Sequence, residues 1–304
     1  MKVAVTGSTG LVGTALTAAL AARGDEVVRL VRRVARSADE VEWYPSRGIA
    51  APAQLEGVDA VVHLAGESIG DRRWSPAQKE RIRASRVAGT QNLVAGLAGL
   101  ERKPRVLVSV SAIHYYGLTG EREVDETSPP GEGFLPEVCR GWEDACKPLG
   151  ALGVRVVHPR CGVILSPLGG ALAKMLTPFR LGVGGIVGNG RQWMSWIALP
   201  DAVGVLLHAL DQDALRGAVN AVAPEPCTNA EFTRALGRAL HRPTVLPLPA
   251  FAARLAFGEL AEQLLLGSLR VRSKVLPATG YRYALPELEG ALRVLVGAPQ
   301  ARAG

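Results

Sequence analysis

Paired cysteines, long apolar runs and lysine are scarce in this 304-residue chain, and each shortage removes a class of protein. The four cysteines (Cys139, Cys146, Cys161, Cys227) have neither C-x-x-C nor zinc-ligand spacing, so free thiols and no metal are expected. No apolar stretch approaches the roughly 20 residues of a membrane span, and MKVAVTG enters a strand with no basic-then-apolar leader. These absences predict a soluble, cytoplasmic protein with no membrane partner. Only six of the 35 basic residues are lysine. The arginines are scattered among acidic residues, with no basic stripe interleaved with aromatics, so the net charge of +7 does not imply nucleic acid. Internal repeats and low-complexity tracts are also absent.

What is present is a core-forming composition, 48% hydrophobic, long enough for one large or two modest domains. It opens on KVAVTGSTGLVG, an alternating apolar strand running into Gly7, Gly10 and Gly13 and then into an amphipathic helix. At a strand-to-helix turn, Gly7 permits the tight bend, Gly10 leaves room for a pyrophosphate, and Gly13 lets the helix approach the sheet. The helix start then turns its free N–H groups and positive dipole end toward an anion. This cradle comprises Gly7, Thr9, Gly10, Leu11, Val12 and Gly13.

Further strands are expected at DEVVRLVRR, DAVVHLAGE, RVLVSVS, VRVVHPR and GAVNAVA. Helices are expected at about residues 76–100, 136–149, 250–266 and 286–296, with Pro200-Asp201 and the Thr228-to-Glu231 capping box starting others. Alternating strands and helices predict an α/β fold with a doubly wound parallel sheet of the Rossmann kind. Residues 1–165 are read as the dinucleotide-binding domain and 166–304 as a smaller α+β substrate-binding part, with residues near 200–222 returning to the sheet. The glycine-rich LGVGGIVGNGRQ marks the change of texture, and VLPATGYRY is read as a loop.

A dinucleotide site usually has an acidic residue at the end of the second strand; here Arg32 and Arg33 stand there. Arginine suits a 2′-phosphate, so NADP is the expected cofactor and Arg32 its ligand, against two solvated arginines at a strand end. The order Thr6-Gly7-x-x-Gly10-x-x-Gly13 resembles the opening of the extended short-chain dehydrogenase/reductase superfamily. His63-Leu64-Ala65-Gly66-Glu67 resembles its x-H-x-A-G segment, and Gly89-Thr90-Gln91-Asn92-Leu93 its N-x-x-G-T-x-N-L run. The resemblance implies that Leu64, Ala65, Gly66 and Glu67 line the cofactor. Arg86 and Arg160 join them as candidates, against a plain turn at Gly66 and an exposed helical arginine at 86.

That superfamily uses a Tyr-x-x-x-Lys dyad, and no tyrosine here is followed by lysine at i+4. Matching Glu143 to the acidic residue usual in the dyad helix puts Leu135 and Cys139 at the two positions. With Trp142 and the VLPATGYRYALPELEGALR tail, this is similar to the atypical branch called the epimerase family, whose members end in a domain of unknown function. Ser111 then becomes the candidate for orienting a substrate oxygen, and Tyr115, Tyr116 and His114 are candidate replacements for the acid. Glu143 and Cys139 rank below them. Arg191, Gln192 and Trp193 line either a substrate pocket or a surface loop. Asp201 matches the aspartate of an I-H-V-x-D segment, with Ala198 where its histidine stands. The implied function is an NADP(H)-binding epimerase-like oxidoreductase, monomeric or homodimeric, acting on a small polar, possibly sugar-related, molecule. The alternative is a catalytically silent NADP(H) sensor.

Overall fold

The computed structural model describes residues 1–297, so the last seven residues of the 166–304 assignment lie outside it. The amino-terminal elements are β1 (Lys2–Thr6), α1 (Leu11–Ala22), β2 (Glu26–Val31), β3 (Glu40–Tyr44), β4 (Gly48–Ile49), β5 (Ala60–His63), α2 (Pro76–Ala98), β6 (Val106–Ser109), β7 (Ser111–Ala112) and β8 (Glu123–Val124). There follow α3 (Phe134–Asp144), α4 (Lys147–Ala151), β9 (Arg155–Cys161), β10 (Val163–Leu165), α5 (Gly170–Arg180), β11 (Trp193–Met194), β12 (Trp196–Ala198), α6 (Leu199–Asp211) and β13 (Gly217–Ala221). The chain closes with β14 (Cys227–Thr228), α7 (Asn229–Leu240), α8 (Ala250–Phe257), β15 (Arg270–Val271), α9 (Val275–Ala278) and α10 (Leu288–Gly297).

The main sheet has the order β13-β9-β6-β5-β1-β2-β3-β4, with β7 on β9. Its pairings are parallel except for the antiparallel β3–β4. Side chains alternate across it, as the period of two requires. Val3, Val5, Ala60, Val62, Val106 and Val108 enter one core with α1 and α6. Ala4, Val61 and Leu107 enter the other with α2 and α4. This is a doubly wound α/β sheet, buried on both faces. The chain passes from β1 outward through β2 and β3, then returns on the other side of β1 as β5. That reversal opens a crevice at the strand carboxyl ends between β1 and β5, where such folds bind ligands.

A third core joins α5, α7 and α10 around Leu172, Leu176, Phe179, Trp196, Phe232 and Leu292. Asp201, buried at the start of α6, ties the tail to it. Its carboxylate accepts from the Tyr281 hydroxyl and from the backbone N–H groups of Ala284 and Leu285 at 2.7–3.2 Å. Thr228 and Glu231 form the expected capping box.

Several expectations need correction. The segment between the second and third expected strands holds β3 and β4, so DAVVHLAGE supplies the fifth strand. The helix expected over 136–149 starts at Phe134 and breaks after Asp144, because Pro148 stands at the start of α4 and its ring cannot continue the preceding turn. The helix over 250–266 ends at Gly258, whose φ of +61° suits glycine, before a π-turn at Ala261–Leu265. VLPATGYRY contains α9. The glycine-flanked α5 carries Pro178 and was not expected at all. Among the described residues no helix is long and apolar enough to cross a membrane.

Candidate functional site

The three glycines of the first turn do three different jobs. Gly7 has φ +66°, and a Cβ there would lie 3.0 Å from the carbonyl carbon of Leu64, so it lets β1 and β5 end side by side. A Cβ at Gly13 would come within 2.1 Å of the Gly7 carbonyl oxygen, so the constraint is the turn itself rather than helix against sheet. A Cβ at Gly10 would meet only that same oxygen, at 3.3 Å, and would otherwise stand in open space. Gly10 is therefore not required by the protein's own packing. It caps α1 without a side-chain bond, and the first intrahelical bond is Thr14 N–H to Gly10 O. The N–H groups of Leu11, Val12 and Gly13 thus head the helix with no intrahelical acceptor, beside the exposed Thr9 and Gly10.

Beneath the turn a hydroxyl–imidazole chain fixes the crevice floor. Thr6 Oγ1 accepts from the N–H groups of Leu64 and Ala65 at 3.0 and 3.2 Å and lies 2.7 Å from His63 Nδ1. With those amides donating, the hydroxyl proton goes to Nδ1, so Nε2–H donates to Thr90 Oγ1 at 3.0 Å. Burial, then the charge of Arg86, lowers the His63 pKa to about 4. This neutral histidine joins β1, β5 and α2. In the sequence it was only part of a motif.

The same helix fixes the rest of the β5 end. Ser85 Oγ accepts from Glu67 N–H at 3.0 Å, and Arg86 Nη1 donates to Glu67 O at 2.9 Å. A Cβ at Gly66 would lie 3.3 Å from Arg86 Cζ, so the glycine admits the guanidinium beneath the backbone. Arg86 also lies 5.1 Å from the Trp142 ring centroid. It is half-buried, and burial lowers its pKa. The exposed-helix alternative for Arg86 therefore fails, since the side chain holds the Gly66–Glu67 backbone in place.

At the end of β2 the two arginines part company. Arg33 makes a bidentate pair with Glu40 of β3 at 2.6 and 2.8 Å, and the hydrogen bond from Arg33 lowers the Glu40 pKa to about 2. Arg32 is exposed and has no hydrogen bond or ion pair among the described residues. Thr6 pairs with Leu30 in the sheet register, so Val31 and Arg32 lie level with Gly7 and Ser8. Arg32 therefore stands at the edge of the crevice with its guanidinium free.

The opposite end of the crevice is different. Ser111 Oγ donates to Glu143 Oε1 at 2.8 Å, and Arg160 holds both Glu143 oxygens through Nε and Nη2 at 2.8 Å. Arg160 Nη1 donates to the Tyr116 hydroxyl at 2.9 Å, which donates to Asn220 Oδ1 at 2.8 Å. Ser111, Tyr116, Arg160 and Asn220 are all buried. Burial opposes the Arg160 charge, but Glu143 outweighs it and the net pKa shift is upward; burial pushes Tyr116 up to about 12. Tyr115 lies with its ring centroid 3.4 Å from Arg160 Cζ. A cavity of about 400 Å³ opens here against Glu143, Lys147, His158, Arg160 and the β13 edge, apart from the glycine turn.

These contacts revise several assignments. Arg160, expected at the cofactor, is spent on Glu143 and Tyr116. Tyr116 and Ser111, expected at the reaction centre, have their protons committed inside the network. Leu135 and Cys139 are buried, and burial followed by the Glu143 charge pushes the Cys139 thiol up to about 12, which makes it inert. Gln192 is bonded to the carbonyls of Val187 and Leu265, and Trp193 donates to Glu121, so both serve the carboxyl-terminal packing; Arg191 is exposed. His114 remains. It is half-buried, and burial with the Arg86 charge takes its pKa to about 4 despite a bond to the Gln263 backbone. Asn220 and the Thr6–His63–Thr90 chain had no local signal. No cluster able to hold a metal ion is present among the described residues.

A doubly wound sheet with a glycine turn and spare helix amides at its switch point defines a nucleotide-binding α/β protein. Residues 3–221 match the NAD dependent epimerase/dehydratase family, and residues 248–295 match a domain of unknown function, DUF1731. The chain belongs to this epimerase family. It is 47% identical over 281 residues to an epimerase family protein of Mycobacterium bovis, covering 92% of this chain and 93% of that one. The crystal structure of human epimerase family protein SDR39U1 with NADPH superposes with a TM-score of 0.90 at 38% identity, covering 98% and 99% of the two chains. A nucleoside-diphosphate sugar epimerase of Corynebacterium glutamicum gives 0.81 at 35% identity, over 98% of this chain and 58% of its own.

Proposed function

We propose that the chain binds NADP(H) at the β1–β5 crevice and acts as an epimerase-like oxidoreductase on a small polar, sugar-related substrate. The observation that carries this reading is the open space at Gly10, the one glycine of the turn whose missing side chain the protein's own packing does not need. The N–H groups of Leu11, Val12 and Gly13, with Thr9, would receive the pyrophosphate. Arg32, the uncommitted arginine at the β2 end, would pair with the 2′-phosphate, a choice that the NADPH in the human relative's crystal supports. Leu64 to Glu67, held from below by Thr6, Ser85 and Arg86, would line the nicotinamide side. The bound cofactor would supply or accept a hydride there. His114, the imidazole left outside the network, would hydrogen-bond the substrate oxygen; its lowered pKa makes it a weak base, so the proton of that oxygen would pass to or from water.

A second reading, a silent NADP(H) sensor, is favoured by the commitment of Ser111 and Tyr116 to the buried network. Thermal shifts with NADPH and NADH, followed by NADPH oxidation across a panel of carbonyl compounds, separate the two. A shift with turnover that falls at least tenfold in His114→Ala supports the oxidoreductase. A shift without turnover supports the sensor, and no shift with either nucleotide rejects both.

A further inference from the structure

A surface of the carboxyl-terminal part carries an unusual combination of apolar and basic side chains. Seven of the twelve exposed large hydrophobic residues among the described residues lie in two short segments: Leu181, Val183, Val245, Leu246, Phe251, Leu255 and Phe257. The segments are neighbours in space. Arg242 Nε donates to Arg180 O at 2.9 Å, Leu248 N–H to Ile186 O at 2.8 Å, and Gly188 N–H to Leu248 O at 2.9 Å, so 180–188 runs beside 242–248 and feeds α8. On α8, Ala253 is buried while Phe251 and Leu255, one turn apart, are 72% and 78% exposed. These side chains project from the protein.

Acidic side chains at the edge of this region, Glu259, Glu262 and Glu289, are paired with Lys79, Arg254 and Arg238, which leaves the unpaired charge there basic among the described residues. No acidic residue occurs between Asp144 and Asp201, nor between Glu231 and Glu259. Arg180, Arg191, Arg234 and Arg242 lie in these stretches without an ion pair among the described residues, whereas Arg238 and Arg254 pair with Glu289 and Glu262. An open cavity of about 700 Å³ lined by Arg234, Arg238, His241, Arg242 and Thr244 adjoins the apolar residues.

We infer that this face docks on an anionic lipid surface, with α8 in the interfacial plane, Phe251 and Leu255 among the acyl chains, and the arginines on headgroup phosphates. An amphipathic helix with a basic surround is suited to such a boundary, and guanidinium groups grip phosphate through paired donors. A second copy of the chain fits less well, because two-fold pairing of the face would set arginines against arginines. Peptide partners generally enter an apolar groove, whereas here the apolar side chains project outward. The inference departs from the expected lack of a membrane partner, which rested on the absence of a spanning run; interfacial contact needs none. It is independent of the cofactor assignment.

The test is co-sedimentation of the full chain with phosphatidylcholine vesicles, with and without about one third phosphatidylglycerol. The expected result is at least tenfold tighter binding to the anionic vesicles, lost at high salt. Phe251→Ser/Leu255→Ser and Arg180→Glu/Arg234→Glu should each weaken it at least fivefold at unchanged melting temperature, since all four side chains are exposed. No binding to anionic vesicles by the folded wild-type protein overturns the inference, even if the face proves to mediate dimerisation or to bind an acidic protein. Salt-independent binding that is equal on both vesicles, or binding that both double variants retain, overturns it as well.

Discussion

The two ends of the crevice are built on opposite plans. At the β1–α1 turn the polar groups face outward and lack partners: the Leu11, Val12 and Gly13 amides lead α1, Gly10 stands in open space, and Arg32 is free. At the α3–β9 end Ser111, Glu143, Arg160, Tyr116 and Asn220 satisfy one another. Spare donors at a helix start can take an external anion, whereas a closed buried network mainly specifies and stabilises the fold. The dyad positions, Leu135 and Cys139, belong to the second plan. The contrast explains how a chain can keep a cofactor cradle while its reaction-end residues are occupied elsewhere.

The comparison can be broken most forcefully at Glu143. Glu143→Ala would leave Arg160 buried without its counter-charge and should destabilise the fold by about 3–5 kcal/mol. Urea unfolding reads this, and a loss below about 1 kcal/mol would mean that the network is not closed. Acid probes both ends through neutral histidines. His63 and His114 have folded pKa values near 4, below the usual 6.5, so the unfolded chain takes up protons first as pH falls. Their stabilisation is complete above about pH 6.5 and declines down to about pH 4, by on the order of 3 kcal/mol per histidine. His63→Asn should flatten part of that decline in urea midpoints measured against pH; an unchanged profile would remove His63 from the account.

A sharper test lies within the glycine turn. Gly13→Ala, whose Cβ would strike the Gly7 carbonyl, should cost about 2–3 kcal/mol of stability. Gly10→Ala should cost less than about 1 kcal/mol while weakening NADPH at least tenfold. Equal stability losses in the two variants would erase the distinction between a fold glycine and a ligand glycine. The smallest expected effect is at Arg32. Arg32→Ala should reduce the preference for NADPH over NADH about tenfold, worth about 1.4 kcal/mol, with melting unchanged. An unchanged ratio in paired titrations would move the 2′-phosphate elsewhere.

The open end was readable in the sequence because its constraints are local. Gly7, Gly10 and Gly13 sit within seven residues of one another, and strand, turn and helix follow in order. The closed end was not, because its bonds join residues far apart: Ser111 to Glu143 across 32 positions, and Tyr116 to Asn220 across 104. Motif spacing could place Ser111 and Tyr116 near the strand ends, but not show that their protons were already given away. The edge strand β3 escaped for a similar reason. Its Glu40 resembles a surface residue until Arg33, seven positions earlier, closes on it. In α5, Leu172, Leu176 and Phe179 keep a helical period of burial, but Pro178 and the flanking glycines mask it in the sequence.

Calorimetric titration of the wild-type protein and of Gly10→Val with NADPH, each beside a thermal melt, tests the central claim most directly. The account predicts NADPH binding to the wild type and a loss of at least tenfold in Gly10→Val, with the Ser111→Ala protein binding as the wild type does. Absence of binding to the folded wild type, or undiminished binding to Gly10→Val, would contradict it.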